Sequence, residues 1–155
     1  MSDFTVLVVE DELSARTIIT EALKFAGIAY IAVDNCAEAL QLAILHQPEI
    51  AILDMNLPDA DGKQLCQALQ TNPETGHIKI LFLTASRSID DVLFGVRAHI
   101  AGFYNKGVPI GEIVQYVIAL NSDAHMRDEV NSYKEHHRAM AEKYSEHSDD
   151  IDIRP

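Results

Sequence analysis

Five polar residues of this 155-residue chain stand at the ends of short apolar runs, and their chemical types suit the binding of cations and phosphoryl groups. They are Glu10, Asp11, Asp54, Thr84 and Lys106. The runs that precede them occupy residues 6–9, 50–53, 80–83 and 102–105. Runs as short and apolar as these predict parallel strands that are buried on both faces. Because ligands of an open α/β sheet gather at the carboxyl ends of its strands, we expect three carboxylates, a hydroxyl and an ammonium in one crevice.

Asp54 is the candidate nucleophile of this crevice. A carboxylate at the end of a buried strand is held firmly on one side and reached by solvent on the other, which suits attack on phosphorus to give an aspartyl phosphate. The alternative is an Asp that only caps the loop into the next helix. Thr84 and Lys106 favour the first interpretation, because a hydroxyl can donate to a phosphoryl oxygen and a compact ammonium can neutralise another. Taken alone, a Thr at a strand end usually reflects only the preference of Thr for strands, and a single Lys is usually a solvated surface residue.

The adjacent acids Glu10 and Asp11 indicate a bound cation. Beside Asp54 they concentrate negative charge, which is unfavourable unless a cation is present. Oxygen ligands with only one or two carboxylates suit Mg²⁺. We assign Asp11 and Asp54 as direct ligands, Glu10 as a water-mediated ligand and the backbone carbonyl of Asn56 as the third protein ligand. The alternative is a solvated acidic turn before the first helix, since acidic residues favour helix N-termini.

The elements that must position these residues alternate along the chain. Strands are predicted at 4–9 and 28–33, followed by strands that end at Asp54, near Thr84 and near Asn105. Amphipathic helices lie between them, the first over residues 14–26, and Gly27 and Asn35 are the predicted stop of one helix and the cap of the next. Alternating strands and helices predict a doubly wound α/β sheet with right-handed crossovers, formed by residues 1–120.

The composition changes after Gly111, because residues 112–154 contain neither Gly nor Pro. We therefore predict that the last helix of the domain continues as a C-terminal helical extension over 121–147, with a disordered tail over 148–155. Six positions in the extension step by four and three, as in a coiled-coil seam: Met126, Val130, Tyr133, His137, Met140 and Tyr144. A homodimer through this seam and a solvated single helix are both open.

The net charge of −12 bears on the partners of the chain. Nucleic acids and anionic membranes require a basic surface, so we expect direct binding to neither. Cys36 and Cys66 form no metal or redox motif, and we expect them to be buried thiols in a reducing compartment. The chain shows no signal peptide or membrane-spanning run, and we predict a cytoplasmic location.

Taken together, these motifs resemble the receiver domain of two-component response regulators over about residues 4–120. The motifs are Glu10-Asp11, the segment from Asp54 to Gly62, Thr84-Ala85 and Lys106, and intervals of 43, 30 and 22 residues separate Asp11, Asp54, Thr84 and Lys106. The resemblance implies a flavodoxin-like five-stranded parallel sheet of order 2-1-3-4-5. It also implies Mg²⁺-dependent phosphorylation of Asp54 by a sensor histidine kinase or phosphotransfer protein.

The resemblance further implies a phosphoacceptor switch, not an enzyme with an external substrate. Self-phosphorylation from small phosphodonors and slow autodephosphorylation are its expected reactions. Switching would pass through Thr84 and Phe103 to a face built from the fourth helix, the fifth strand and the fifth helix. This face and the C-terminal helix would then signal to a protein partner or output domain. Met55, Ala85 and Ser86 are predicted to border the site and to tune water access to the phosphate.

The chain departs from the usual receiver pattern at three positions. Gly107 follows Lys106 where Pro is usual, Phe103 stands where many members carry Tyr, and Glu10 stands where the first acid is often Asp. None of these changes removes a group that phosphorylation needs. Because Phe103 has no hydroxyl, it can rotate but cannot donate a hydrogen bond, which bears on how a signal is transmitted.

Two other functions are compatible with parts of the pattern. Haloacid-dehalogenase-like phosphatases also use a strand-end Asp with Mg²⁺, Thr or Ser and Lys. They need a second acid two residues after the nucleophile, where this chain has Asn56, and their nucleophile follows the first strand. The other alternative is an unphosphorylated docking or dimerisation module, against which the intact set of Asp11, Asp54, Thr84 and Lys106 argues.

Overall fold

A computed structural model describes residues 4–85 and 88–122 of the chain. Strands and helices alternate through these residues, which confirms the predicted α/β order. In chain order the elements are β1 Thr5–Val9, α1 Leu13–Phe25, β2 Ala29–Val33, α2 Cys36–His46, β3 Ile50–Leu53, α3 Gly62–Thr71, β4 Lys79–Thr84, α4 Ile89–Arg97, β5 Gly102–Asn105 and α5 Ile110–Asn121.

The five strands form one parallel sheet in the order β2-β1-β3-β4-β5, as predicted. Val9 of β1 lies opposite Leu53 of β3, and Thr84 of β4 lies opposite Asn105 of β5. Since the strands are parallel and in this register, their carboxyl ends lie along one edge of the sheet. The flavodoxin-like fold expected from the sequence is confirmed.

Alternate residues of the central strands supply two hydrophobic cores, one on each face of the sheet. The first core combines strand residues such as Leu7 and Phe82 with buried side chains of α2 and α3. The second combines Val8 and Leu81 with buried side chains of α1 and α5. Strands buried on both faces have few polar positions before their ends. This explains why the chemistry-bearing side chains cluster where the strands stop.

Local sequence signals account for several helix ends. The side chain of Asn35 accepts a hydrogen bond from the amide of Glu38 at 2.9 Å, which makes Asn35 the predicted cap of α2. Asp61 caps α3 through the amide of Lys63 at 2.9 Å and forms a capping box with Gln64. Gly27 follows α1 with φ of 73°, a left-handed conformation that favours glycine and ends the helix as predicted.

Helix α5 ends at Asn121, where the sequence predicts a helix that continues without a break. Ser122 has an extended backbone, and its hydroxyl donates to the carbonyl of Ala119 at 2.9 Å. Such local hydroxyl bonds compete with helical hydrogen bonding. Residues 123–155 lie outside the described residues, so the helical extension over 121–147, its seam and the disordered tail remain predictions.

The two cysteines are free and buried, as expected from the sequence. Burial raises the pKa of both Cys36 and Cys66 to about 12, so neither thiol has thiolate character near neutral pH. Among residues 4–85 and 88–122, no helix combines the length and apolar character needed to cross a bilayer.

Candidate functional site

The polar residues predicted to share a crevice do follow neighbouring strands. Glu10 and Asp11 follow β1, Asp54 follows β3, Thr84 is the last residue of β4, and Lys106 follows β5. A backbone hydrogen bond of 2.9 Å from the amide of Lys106 to the carbonyl of Thr84 continues the strand pairing one residue further. The backbone of the sheet therefore fixes where these side chains begin.

Asp54 lies at the centre of the site and is only 5% exposed. Its Oδ1 accepts hydrogen bonds from the Thr84 hydroxyl at 2.9 Å and from the Asn56 amide at 3.1 Å, and its Oδ2 accepts from Lys106 Nζ at 2.9 Å. Burial raises the pKa of the Asp54 carboxyl, but the Lys106 ammonium and the Asn56 amide outweigh burial and hold it below its usual value. Asp54 is therefore ionised at neutral pH.

Glu10 shares the same ammonium with Asp54. Glu10 is 2% exposed, and its Oε1 lies 2.5 Å from Lys106 Nζ. Burial, opposed by the Lys106 bond and reinforced by the charge of Asp54, raises the pKa of Glu10 to about 7. Burial lowers the pKa of Lys106, yet its bonds to Glu10 and Asp54 more than offset this and raise it. The ammonium group of Lys106 thus contacts two buried carboxyl groups at once.

Glu10, Asp11 and Asp54 form a cluster that could hold a metal ion. One carboxylate oxygen from each lies within 4.8 Å of the others, and Asp11 is exposed while the other two are buried. Mg²⁺ prefers oxygen ligands and keeps several bound waters, and two buried acids beside an exposed one are compatible with both preferences. The side chain of Arg16 donates to the backbone carbonyls of Glu10 at 2.9 Å and Asp11 at 3.3 Å, which orders the turn that carries both acids.

The loop between Asp54 and α3 folds back so that the start of α3 packs tightly against the backbone of Asp54, the candidate phosphoacceptor. The amide of Gly62 donates to the carbonyl of Met55 at 2.8 Å, and Asn56 forms an antiparallel bridge with Asp61. A Cβ placed on Gly62 would lie 2.1 Å from the Asp54 carbonyl oxygen. Only glycine fits at this position, because the close neighbour is backbone and cannot turn away.

Phe103 lies beneath α4 and belongs to a row of aromatic rings. Its ring centroid is 6.1 Å from that of Phe82, which is 6.3 Å from that of Phe94 on α4. A Cβ on Gly95 of α4 would lie 3.3 Å from Cδ2 of Phe103, so α4 packs closely on the ring. Phe103 therefore packs directly against both β4 and α4.

The residues predicted to border the site have different environments. Met55 is 2% exposed and belongs to the core on the α2 and α3 side of the sheet. Ala85, directly after Thr84, is exposed. Ser86 lies outside the described residues. The effect of these three residues on water access to the phosphate remains a prediction.

Sequence reasoning missed three side chains that organise this region. Arg16 fixes the turn of the two acids, Asp59 contacts the start of α2, and Lys63 forms a 2.5 Å ion pair with Asp91 of α4. Lys63 Nζ also lies 5.9 Å from the ring centroid of Phe94. For Arg16 a signal existed, since it lies within the first turns of the helix after the acids. For Asp59 and Lys63 nothing in the spacing indicates the partner.

The fold and site define a doubly wound α/β protein with an acidic crevice, a strand-end hydroxyl and a paired lysine. A family model described as the response regulator receiver domain matches residues 6–118, which is most of the chain. The chain belongs to the response regulator receiver family, as the sequence motifs indicated.

Known relatives are response regulators. The chain is 29% identical over 110 residues to the phosphate regulon transcriptional regulatory protein PhoB of Pseudomonas aeruginosa, a match that covers 71% of this chain and 48% of that protein. It is 25% identical over 126 residues to the response regulator Rcp1 of Synechocystis, covering 76% and 86% respectively. The chain thus spans about half the length of PhoB and most of the length of Rcp1.

Solved structures show the same fold. The Mn²⁺-bound form of Rcp1 matches with a TM-score of 0.62 at 26% identity, covering 74% of this chain and 88% of that one. The chemotaxis response regulator CheY4 of Vibrio cholerae matches with a TM-score of 0.69 at 23% identity, covering 75% and 97%. At that identity the second likeness concerns the fold alone.

Proposed function

We propose that this chain is a phosphoacceptor switch that receives a phosphoryl group on Asp54 from a sensor histidine kinase or phosphotransfer protein. One observation carries the proposal. The buried carboxylate of Asp54 is held at 2.9 Å by both the Thr84 hydroxyl and the Lys106 ammonium, beside two further acids. A carboxylate that is ionised, fixed in direction and surrounded by donors for phosphoryl oxygens has what in-line phosphoryl transfer requires.

The proposed step exchanges one bond to phosphorus for another. An oxygen of Asp54 forms a bond to phosphorus while the bond from phosphorus to the donor breaks. In a phosphohistidine donor the leaving imidazole nitrogen keeps the electron pair, and in acetyl phosphate the leaving acetate does. Lys106 and Thr84 then have phosphoryl oxygens to donate to in place of the free carboxylate oxygens, through charge-assisted hydrogen bonds.

Mg²⁺ is the cofactor we propose, with Asp11 and Asp54 as direct ligands, Glu10 as a water-mediated ligand and the Asn56 carbonyl as the third protein ligand. When bound, the ion neutralises charge on the phosphoryl oxygens during transfer. Three carboxylates whose oxygens lie within 4.8 Å of one another support this assignment. The relative Rcp1, whose structure is of a Mn²⁺-bound form, gives further support.

Signal transmission would begin at Thr84. When a phosphoryl oxygen replaces Asp54 Oδ1 as the acceptor of its hydroxyl, the end of β4 shifts with the new bond. The space near Thr84 is then open to Phe103, whose close packing against Gly95 links the ring to α4. We propose that the face formed by α4, β5 and α5 reports the change to a protein partner or output domain, directly or through a dimer.

The proposed partners follow from this role and from the composition. PhoB is by name a transcriptional regulator, whereas this chain has a net charge of −12 and few basic residues to bind nucleic acid, so we propose that the switch acts through protein contacts. A cytoplasmic location is proposed, because histidine kinases draw on ATP there. The free, buried thiols of Cys36 and Cys66 suit such a reducing compartment.

A phosphate-affinity gel tests the proposal. The chain is incubated with acetyl phosphate in Mg²⁺ or in EDTA, and free phosphate is measured in parallel. We expect protein-bound phosphoryl in Mg²⁺ only, with release slower than uptake. Continuous hydrolysis of an external phosphomonoester would instead indicate the phosphatase alternative, and no bound phosphoryl under either condition would indicate an unphosphorylated docking module.

A further inference from the structure

Asp59 fastens the loop after β3 to a different helix. Its Oδ1 accepts a hydrogen bond from the amide of Cys36 at 2.8 Å, and its Oδ2 accepts from the amide of Ala37 at 3.1 Å. These are the first two amides of α2, which have no carbonyl partner within their own helix. The carboxylate therefore caps α2 from outside, and these bonds hold the pKa of Asp59 below its usual value.

A second contact joins the same two segments. The thiol of Cys36 donates to the carbonyl of Ala60 at 3.7 Å, and Cys36 is buried. The middle of the loop thus lies directly on the first turn of α2. Since α2 packs into the core through Ala39 and Ala43, it offers the loop a rigid support.

The loop held in this way carries the proposed metal ligands. It begins at Asp54, passes through Asn56 and ends where Gly62 packs on the Asp54 carbonyl. The Asn56–Asp61 bridge closes it near its base, so the position of its outer part depends on what that part touches. Asp59 supplies two such contacts with one side chain.

We propose that Asp59 is a positioning residue for the cation site, a role that rests on the proposed function. By fixing the outer part of the loop to α2, its carboxylate keeps the Asn56 carbonyl and the Asp54 carboxylate in place for Mg²⁺. Two oxygens match two adjacent amides, and the positive end of the α2 dipole favours the negative charge. In Asn an NH₂ group replaces one of the two carboxylate oxygens and cannot accept a hydrogen bond, so one of these two bonds is lost, whereas the methyl group of Ala accepts neither.

Calorimetric titration of the unphosphorylated full chain with MgCl₂ tests this role. We expect Asp59→Ala to raise the Kd for Mg²⁺ by about tenfold, as is usual when a partner of a metal ligand is lost, and Asp59→Asn to raise it less. Asp34→Asn is the matched control. Asp34 is exposed, precedes the same helix and contacts the Asn35 side chain at 2.8 Å, so the variant removes one charge at the same end of α2 without touching the loop. Its Kd should stay within about twofold of the native value.

Thermal unfolding in EDTA separates positioning from stability. If Asp59 only stabilises α2, Asp59→Ala will lower the Tm while the folded protein keeps the native Kd, and the inference is overturned. Equal weakening in Asp59→Ala and Asp34→Asn would also overturn it, since charge alone would then explain the effect. If the native chain accepts a phosphoryl group and binds Mg²⁺, and Asp59→Ala binds Mg²⁺ with the same Kd, only this inference is refuted. A native chain that binds no Mg²⁺ refutes the proposed cation site as well.

Discussion

The ammonium nitrogen of Lys106 lies 2.9 Å from Oδ2 of Asp54, and the same nitrogen is 2.5 Å from a carboxylate oxygen of Glu10. In the metal-free protein a single ammonium group thus contacts two buried acids. Binding of a divalent cation and a phosphoryl group would redistribute these contacts. The stability of the metal-free protein should therefore depend on the same residues as its chemistry.

The first prediction concerns the loss of this lysine. Lys106→Met leaves Asp54 and Glu10 buried without their cation, which should lower the free energy of unfolding by about 2 kcal/mol at neutral pH in EDTA. Mg²⁺ should restore part of the loss, because it supplies the missing positive charge. Urea unfolding with and without Mg²⁺ measures both effects. Equal losses in the two conditions would contradict a shared charge site.

The second prediction concerns pH. Burial raises the pKa of Glu10 from its ordinary value of 4.5 to about 7 in the folded chain, so between these values the folded state holds a proton that the unfolded state has released. The free energy of unfolding must then fall as pH rises from about 4.5 to 7, by on the order of 3 kcal/mol at most. Glu10→Gln should remove this fall. Urea unfolding in EDTA across that range measures it, and parallel curves for the two proteins would refute the shifted pKa.

The third prediction concerns the close approach of Gly62. Gly62→Ala would place its Cβ 2.1 Å from the Asp54 carbonyl oxygen, so the loop must move, with a loss of about 2 kcal/mol in stability and of phosphorylation. Gly111→Ala in α5 is the control, since a Cβ there meets nothing within 4 Å and alanine favours a helix. Thermal unfolding and phosphoryl uptake should separate the two variants. Native uptake in Gly62→Ala would show that the loop can adapt.

The fourth prediction concerns the link between α3 and α4. Lys63 and Asp91 are partly shielded, with side-chain exposures of 28% and 13%, and the pair raises the pKa of Lys63. A double-mutant cycle with Lys63→Met and Asp91→Asn should give a coupling energy of about 0.5–1 kcal/mol that decreases in high salt. Lys24→Met, at an exposed position of α1, should change stability little. A cycle without coupling would mean that the ion pair does not hold α4.

The sequence predicts the central site well because sheet geometry determines it. Asp54, Thr84 and Lys106 stand at strand ends, and parallel strands in register bring such ends together whatever the loops do. The contacts between these side chains agree with that expectation. The predicted cation follows from the three carboxylates Glu10, Asp11 and Asp54, and it remains a proposal.

The contacts that hold the site were not predictable in the same way. Asp59 reaches α2 and Lys63 reaches α4 through loop paths and long side chains, for which sequence periodicity carries no signal. The predicted continuation of α5 beyond Asn121 stays a prediction, since the residues after Ser122 lie outside the part of the chain that the structure describes.

The most direct test of the central claim is the intact mass of the native chain and of Asp54→Asn after incubation with Mg²⁺ and acetyl phosphate. Asn keeps the size of the side chain and removes the nucleophilic carboxylate. The account predicts a gain of one phosphoryl group in the native chain and none in the variant. Equal gains in both proteins, or no gain in the native chain, would contradict the assignment of Asp54 as the phosphoacceptor.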